Sequence, residues 1–174
     1  MILGFSTQIN GKETFFVEKI WQSFPDEFSI DNFDDFQWDK HYNFNVDAVD
    51  FTPKLHTIRL DKNDHWKKGR KIDFIINVRK KNMLRFAPVL PVVSTQKVEI
   101  KWYFNPGTNI CRIEIDNKGF AVAMWHVGFD KNPTYSPQLL AFVQNDGFDS
   151  VEDFFNYFDK DFLGKIIHWT DLKY

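Results

Sequence analysis

Short strand-like segments separated by turn signals fill most of the second half of the sequence, and they constrain the fold more than any other feature. Apolar or alternating runs lie at 55–60, 72–78, 89–93, 98–102, 110–115 and 120–125. The last three are separated by Asn105-Pro106-Gly107 and by Asp116-Asn117-Lys118-Gly119, which are typical turn sequences. Because consecutive strands joined by tight turns pair antiparallel, this pattern predicts an antiparallel, meander-like β core.

Helices and two terminal strands are predicted around this core. The helices are expected at 13–23, at 137–143 and from 150 onward, and the further strands at 3–9 and 165–169. Pro25 ends the first helix and Gly147 the second, whereas Ser150, with Asp153 three residues later, begins the third. Strands that bracket a few helices predict an α+β fold, a small β-barrel or curled sheet that is mostly antiparallel and carries flanking helices.

The length and the aromatic content bound the core. A chain of 174 residues is long enough for one sizeable core and short for two, so a single domain is expected. The sequence contains 20 Phe and 6 Trp, and we therefore expect much of the core to consist of packed rings. Trp66 and Trp125 are the two rings to check for exposure, because an exposed ring can stack on a ligand.

Charge is unevenly distributed along the chain. The formal net charge is −2, which argues against a protein that coats nucleic acid through a large basic surface. Residues 26–50 are strongly acidic and read as a long excursion, whereas residues 67–85 are strongly basic with Asp73 as the single acid. The basic stretch is interpreted as a solvated hairpin face in preference to an RNA track.

Several classes of function lack their motifs. The single Cys111 has no partner for a disulfide or a CxxC motif and is expected to be a small core residue in a reducing compartment. The histidines have no metal-ligand spacing, and no phosphate loop or dinucleotide fingerprint occurs. We therefore expect no metal, no cofactor, no membrane segment and a cytoplasmic location.

A polar strand at 54–59 is the most informative segment. Lys54, Thr57 and Arg59 lie within six residues, and buried polar groups of this kind need partners. Alternation places Thr57 and Arg59 on one face of the strand and His56 and Ile58 on the other. The sequence predicts a small polar cleft formed by Lys54, Thr57, Arg59 and the distant Asp146.

These residues resemble a known family. The ASCH domains of the PUA-like superfamily carry a Lys-x-x-Thr-x-Arg strand, then a turn with an aromatic residue, Gly and an apolar residue. Lys54, Thr57, Arg59, Trp66, Gly69 and Ile72 match in order. Residues 145–155 are similar to the family's acidic residue and its following helix start. The resemblance leaves about 25–52 and about 102–137 as additions to a single ASCH-type domain spanning 1–174.

The resemblance implies a PUA-like barrel with a cleft that binds RNA or a modified nucleoside. Its expected ligand-binding residues are Arg59, Trp66, Lys67, Lys68 and Arg70. One branch of the family, the small bacterial acetylcytidine amidohydrolases, implies an alternative function as a metal-independent amidohydrolase. Lys54 would then be the base, Thr57 the nucleophile and Asp146 the acidic partner, although that branch has Glu where this chain has Asp146. A lysine whose pKa is lowered by burial can take a proton from a hydroxyl.

Two further interpretations remain open from the sequence. Arg59 and Asp146 can form a purely structural ion pair, with Thr57 an ordinary strand residue. The chain can also be a protein-interaction domain that uses the acidic, aromatic excursion at 26–51 as its contact surface.

Overall fold

A computed structural model describes residues 1–25, 42, 51–126 and 133–174. Most of the acidic excursion predicted at 26–51 therefore lies outside the described residues. The strands are β1 Ile2–Phe5, β2 Gln8–Ile9, β3 Lys12–Glu13, β4 His56–Arg59, β5 Lys71–Ile76, β6 Leu84–Arg85, β7 Leu90–Pro91, β8 Ser94–Asn105, β9 Thr108–Ile115, β10 Lys118–His126, β11 Thr134–Tyr135 and β12 Phe162–His168. The helices are α1 Phe16–Trp21, α2 Gln138–Asn145 and α3 Val151–Tyr157.

The largest sheet has six strands in the order β11-β10-β9-β8-β12-β4, and all its pairs are antiparallel. Strands β8, β9 and β10 form the predicted meander. The second sheet joins β1 to β5 in parallel and β5 to β6 and β7 in antiparallel fashion. The α+β class and the mostly antiparallel pairing are thus confirmed. Within the described residues the large sheet stays open, with β11 and β4 unpaired to each other.

The helices begin and end close to the predicted signals. Helix α1 is shorter than expected because its first turn begins after Phe15, which has a positive φ of 51°. Helix α3 is capped by Ser150, whose hydroxyl accepts a hydrogen bond from the Asp153 backbone N–H at 3.0 Å, as the sequence predicts. None of the helices in the described residues has the length and apolar composition needed to cross a membrane.

Two apolar clusters form the core, and β12 separates them. Ile166 packs in the cluster under α2 and α3, whereas its neighbour Ile167 packs in the cluster with β1, β5 and α1, because successive side chains point to opposite faces of a strand. Ring contacts run through both clusters, for example Phe5 stacked on Phe74 with centroids 5.9 Å apart. The predicted ring-packed core is confirmed, as is the buried position of Cys111.

Part of the predicted addition at 102–137 extends the large sheet. Trp102 to Asn105 form the distal end of β8 and pair with β9, which pairs in turn with β10. Trp102 and Trp125 lie with ring centroids 5.0 Å apart. This half of the sheet therefore belongs to the main β structure, and it lies away from the polar residues described next.

Candidate functional site

Four polar residues predicted to lie together line one cavity. Lys54, Thr57, Arg59 and Asp146 surround it, although Asp146 lies 92 positions after Lys54 in the chain. The remaining lining residues are Ser6, Ile9, Phe16, Phe148 and Tyr157. We call this space the inner cavity.

Lys54 and Asp146 form a buried ion pair. The Lys54 Nζ lies 3.0 Å from Asp146 Oδ1 and also donates to the Asp146 backbone carbonyl. The two residues are only 1% and 3% exposed. The Phe16 ring, whose centroid lies 4.6 Å from Nζ, adds a cation–π contact. The ammonium is therefore enclosed by a carboxylate, a carbonyl and an aromatic face.

Burial shifts both pKa values of the pair toward the neutral forms. Desolvation, opposed by the charge of Asp146 and reinforced by that of Arg59, lowers the pKa of Lys54 to about 8. Desolvation likewise raises the pKa of Asp146, and the positive charge of Lys54 opposes that change. Each group thus needs the other to stay charged in the interior.

Backbone hydrogen bonds fix where Lys54 enters the site. The Lys54 N–H donates to the Lys19 carbonyl at the end of α1, at 2.9 Å, and the Leu55 N–H donates to the Asn145 carbonyl at the end of α2, at 2.8 Å. Carbonyls in the last turn of a helix lack partners within the helix. The segment before β4 therefore satisfies two helix ends and is held between them.

The turn after α2 places Asp146. The Gly147 N–H donates to Gln144 O at 2.7 Å and the Phe148 N–H to Val143 O at 3.2 Å, which is the hydrogen-bond pattern of a Schellman motif. Gly147 has a φ of +90°, and a Cβ there would lie 2.8 Å from the Lys54 Cδ. Glycine is thus required both for the backbone conformation and for the close approach of Lys54.

The Asp146 carboxylate also binds the edge of β4. Its Oδ1 accepts the Ile58 backbone N–H at 3.1 Å, a donor that has no strand partner on that side. His56 Nδ1 lies 3.6 Å from the same oxygen. Because the sheet ends at β4, this carboxylate replaces a neighbouring strand at one position.

Arg59 makes no ion pair with Asp146 in the described structure, so the purely structural Arg59–Asp146 pair considered from the sequence is wrong. Its Nη2 donates instead to the Gly4 carbonyl at 2.9 Å, and its guanidinium lies 5.3 Å from the Phe5 ring centroid. Asp146 is neutralised by Lys54 at shorter range. The positive charge of Arg59 therefore has no carboxylate partner among the described residues, and it lies at the edge of the inner cavity.

Thr57 shares the inner cavity with Lys54 and Arg59, as the alternation along β4 predicts. It is 1% exposed. Within the described part of the chain its hydroxyl makes no hydrogen bond, to Lys54 or to any other group. The hydroxyl is consequently available to a group that enters the cavity.

The inner cavity is nearly closed, whereas the sequence predicts an open cleft. Its volume of about 20 Å³ is enough for one water molecule. Two of its lining residues, Ser6 and Tyr157, are exposed, and Arg59 is half-buried between the interior and the surface. We call these three side chains the mouth, and the space behind them holds no group much larger than a water molecule.

The other predicted ligand-binding residues lie away from the inner cavity. Trp66 is 5% exposed and packs in the core with β1 and β5, so no face is free for stacking. Lys67 pairs with Asp64 at 3.1 Å, Arg70 donates to the His65 carbonyl, and Lys68 is exposed. The structure thus separates these four residues from Lys54, Thr57 and Asp146.

A buried polar cluster supports the site from behind. The Tyr174 hydroxyl lies 2.8 Å from His56 Nε2 and accepts from Asn145 Nδ2 at 2.9 Å. When the Tyr174 hydroxyl donates its hydrogen bond to His56 Nε2, the neutral imidazole carries its own proton on Nδ1, which faces Asp146. The His168 ring lies 5.3 Å from the His56 ring. Both imidazoles are fully buried, and burial lowers the pKa of each.

Three residues at this site are missing from the sequence-based prediction. Tyr157 and Ser6 form the mouth, and Lys19, which is 2% exposed, donates to the Gly147 carbonyl at 2.9 Å and to Asp149 at 2.5 Å. The sequence alone could have pointed to Lys19, because a lysine on the apolar face of a short helix needs a buried partner. Within the described ranges, no group of three or more His, Cys, Asp or Glu residues is placed to hold a metal ion.

Comparisons of the chain with protein-family models, with curated proteins and with solved structures found no match.

Proposed function

We propose that this chain is a PUA-like domain of the ASCH type that binds RNA or a modified nucleoside at the mouth of the inner cavity. The convergence of Lys54, Thr57, Arg59 and Asp146 on one cavity supports this proposal most directly. Lys54 and Thr57, three residues apart, line it together with Asp146, which lies 92 positions after Lys54, and these are the three residue types that the resemblance leads us to expect. The PUA-like assignment is part of the proposal, since the described large sheet is open.

The mouth offers the interactions that a nucleobase needs. Tyr157 is 46% exposed and presents an aromatic face for stacking, while Arg59 adds a cation beside it. Behind them the inner cavity has room for one small substituent. A modified base would therefore stack at the mouth and direct its modifying group toward Lys54 and Thr57.

Replacing Tyr157 with alanine is expected to weaken binding of cytidine, acetylcytidine or single-stranded RNA by about fivefold to a hundredfold, because stacking on one aromatic ring contributes about 1–3 kcal/mol. Isothermal titration calorimetry at low salt measures the change. Tyr135, a comparably exposed tyrosine on β11, provides the matched control Tyr135→Ala, which should bind as the wild type does. Equal affinities of the wild type and Tyr157→Ala, or no binding of any of these probes by the wild type, would refute the proposal.

The geometry also favours a second candidate function, a metal-independent amidohydrolase. Lys54 has a pKa lowered to about 8 by burial, which suits a general base near neutral pH, and Thr57 lines the same cavity. For the reaction, Lys54 would accept the Thr57 proton as the hydroxyl attacks the amide carbonyl, and Arg59 would stabilise the oxyanion. The C–N bond would then break as Lys54 returns the proton to the departing amine, and water would hydrolyse the Thr57 ester to acetate. Lys54 would have to exchange its present bond with Asp146 for one with Thr57.

Turnover of acetylcytidine tests this second function. If the wild type releases acetate above the buffer rate, Thr57→Val should reduce the rate at least a thousandfold, since valine has nearly the same shape but no nucleophile. Thr95→Val, on β8 and outside the cavity, should keep the wild-type rate. Loss of the acyl group is followed by chromatography. Absence of wild-type turnover would eliminate the enzyme and leave the binding function.

A further inference from the structure

A larger groove lies beside the inner cavity. It has a volume of about 440 Å³ and is lined by residues 4–8, Asn77, Val78 and Lys80. Small-molecule sites typically have volumes of about 300–1,000 Å³, whereas the inner cavity accommodates only a water-sized group. The main part of any ligand that reaches into the inner cavity must therefore lie outside it, and this groove is large enough to hold that part.

The groove and the inner cavity are adjoining compartments. Ser6 lines both of them. Arg59, which lines the inner cavity, donates to the carbonyl of Gly4, which lines the groove, at 2.9 Å. A ligand that stacks on Tyr157 at the mouth can thus extend toward the groove along Ser6.

The chemistry of the groove suits an anion. Ser6, Thr7 and Gln8 supply hydroxyl and amide groups, Lys80 supplies a cation, and the lining contains no carboxylate. The Asn77 amide already donates to the Asn82 carbonyl at 3.3 Å. Charge-assisted hydrogen bonds of this kind hold phosphate groups.

The loop between β5 and β6 adds unneutralised positive charge at the groove. Arg79, Lys80 and Lys81 are consecutive and exposed, and within the described ranges none of them forms an ion pair. Two cations of the basic stretch are neutralised, since Lys67 lies 3.1 Å from Asp64 and Arg85 lies 2.7 Å from Asp73. Lys80 lines the groove, and its two sequence neighbours add further positive charge next to it.

The backbone of this loop is held in an uncommon conformation. Arg79 has a φ of +64° and Asn77 a φ of +54°, a region that costs an arginine energy. The Lys80 N–H donates to Asn77 O at 2.9 Å and the Met83 N–H to Lys80 O at 3.1 Å. These bonds hold the backbone from which the three cations project.

From these observations we propose that the groove binds the phosphate group of a nucleotide or of an RNA strand whose base stacks at the Tyr157 mouth. This inference rests on the proposed function and narrows it, because it makes a phosphorylated ligand the preferred one over a free nucleoside.

The test compares three probes, cytidine, cytidine monophosphate and a short fluorescein-labelled single-stranded RNA, with the double variant Arg79→Asn/Lys80→Gln. Asparagine tolerates the positive φ at position 79, so the loop should keep its fold. The control Lys62→Asn/Lys118→Gln removes the same charge from exposed lysines that line neither compartment. Calorimetry measures the two small probes, and fluorescence anisotropy over a salt series measures the RNA.

The groove variant should bind cytidine monophosphate and RNA about tenfold more weakly, with the salt dependence of RNA binding reduced by about one unit of log–log slope. Its affinity for cytidine should be unchanged, and the control should match the wild type with every probe. If the wild type binds the RNA more tightly than cytidine monophosphate, the ligand is an RNA strand. If the two affinities are equal, the ligand is a single nucleotide.

Two results would overturn the inference. If Tyr157→Ala weakens cytidine binding while the groove variant binds all three probes as the wild type does, the proposed function stands and the phosphate site is wrong. If the control loses RNA affinity as much as the groove variant, the effect is one of net charge alone. Failure of every probe to bind the wild type would remove the proposed function and this inference together.

Discussion

Replacing Lys54 with methionine is expected to lower the free energy of unfolding by about 3–5 kcal/mol, because the change leaves the Asp146 carboxylate buried without its cation. Methionine retains the length and most of the volume of the lysine stem, so cavity formation contributes little. Asp146 is 3% exposed and cannot turn to solvent, since its Oδ1 is also bound to the Ile58 N–H. Urea denaturation followed by tryptophan fluorescence measures the loss.

The double variant Lys54→Met/Asp146→Asn separates loss of charge balance from loss of packing. Asparagine keeps an oxygen for the Ile58 N–H, so the double variant should recover most of the stability that Lys54→Met loses. Lys62→Met, at an exposed lysine, should change stability by no more than about 0.5 kcal/mol. A cost below about 1 kcal/mol for Lys54→Met, or no recovery in the double variant, would show that the pair is not an interdependent ionic unit.

Local signals in the sequence were sufficient to predict the elements that carry the site. Alternation along β4 placed Thr57 and Arg59 on one face, Gly147 marked the turn after α2, and Ser150 marked the start of α3. Each of these depends on neighbours within a few residues, through strand periodicity or helix capping.

Long-range contacts are where sequence reasoning fell short. The choice of Lys54 over Arg59 as the partner of Asp146 depends on the Lys54 segment being held between the ends of α1 and α2, which no local pattern reveals. The pairing of Arg59 with the Gly4 carbonyl depends on where β1 lies beside β4. Trp66, given a ligand-binding role by the resemblance, is enclosed by side chains from other strands.

The closure of the inner cavity has the same origin. Ile9, Phe16 and Phe148 come from three separate segments, and together they fill space that four polar residues alone would leave open. The sequence therefore predicted which polar groups meet but not how little room they share. Under the proposed function, ligand contact therefore falls on Tyr157 and Ser6, together with Arg59, which the resemblance had already given a ligand-binding role.

Acid is expected to destabilise the fold through the two buried imidazoles well before the carboxylates titrate. Burial lowers the pKa of His168 to about 4 and lowers that of His56 well below its usual range. The unfolded chain, in which a histidine has a pKa of about 6.5, then binds more protons than the folded chain at any pH below that value. Stability should therefore be lost progressively as the pH falls from about 6.5 toward 4.

Other titratable groups change the stability outside the range from pH 6.5 to pH 4, or change it in the opposite direction. Asp61, Asp64 and Asp153 have lowered pKa values, so their stabilising effect is lost only as the pH falls below about 3.8. Lys54 is already protonated in both states below pH 8. Asp146 opposes the histidines, because burial raises its pKa and the folded state takes up its proton first.

Replacing His168 with leucine isolates the contribution of one imidazole. Between pH 6 and 4.5 each neutral, buried histidine should cost about 1.4 kcal/mol per pH unit, so His168→Leu should reduce the pH dependence of the unfolding free energy by that amount. Within the described residues both ring nitrogens of His168 lack hydrogen-bond partners, so the variant should be at least as stable as the wild type at pH 7.5. Urea titrations at several pH values measure both quantities.

A matched control distinguishes titration from packing. Ile166→Val, two residues earlier on β12, should lower stability by about 0.5–1.5 kcal/mol at every pH and leave the pH dependence unchanged, because it removes a methylene and no titratable group. If His168→Leu behaves like Ile166→Val, the imidazole is not held neutral by the fold. If His168→Leu instead reduces the pH dependence of the unfolding free energy, the cluster of His56, His168 and Tyr174 makes the candidate site sensitive to mild acid. The reason is that His56 lies beside the same Asp146 oxygen that binds Lys54.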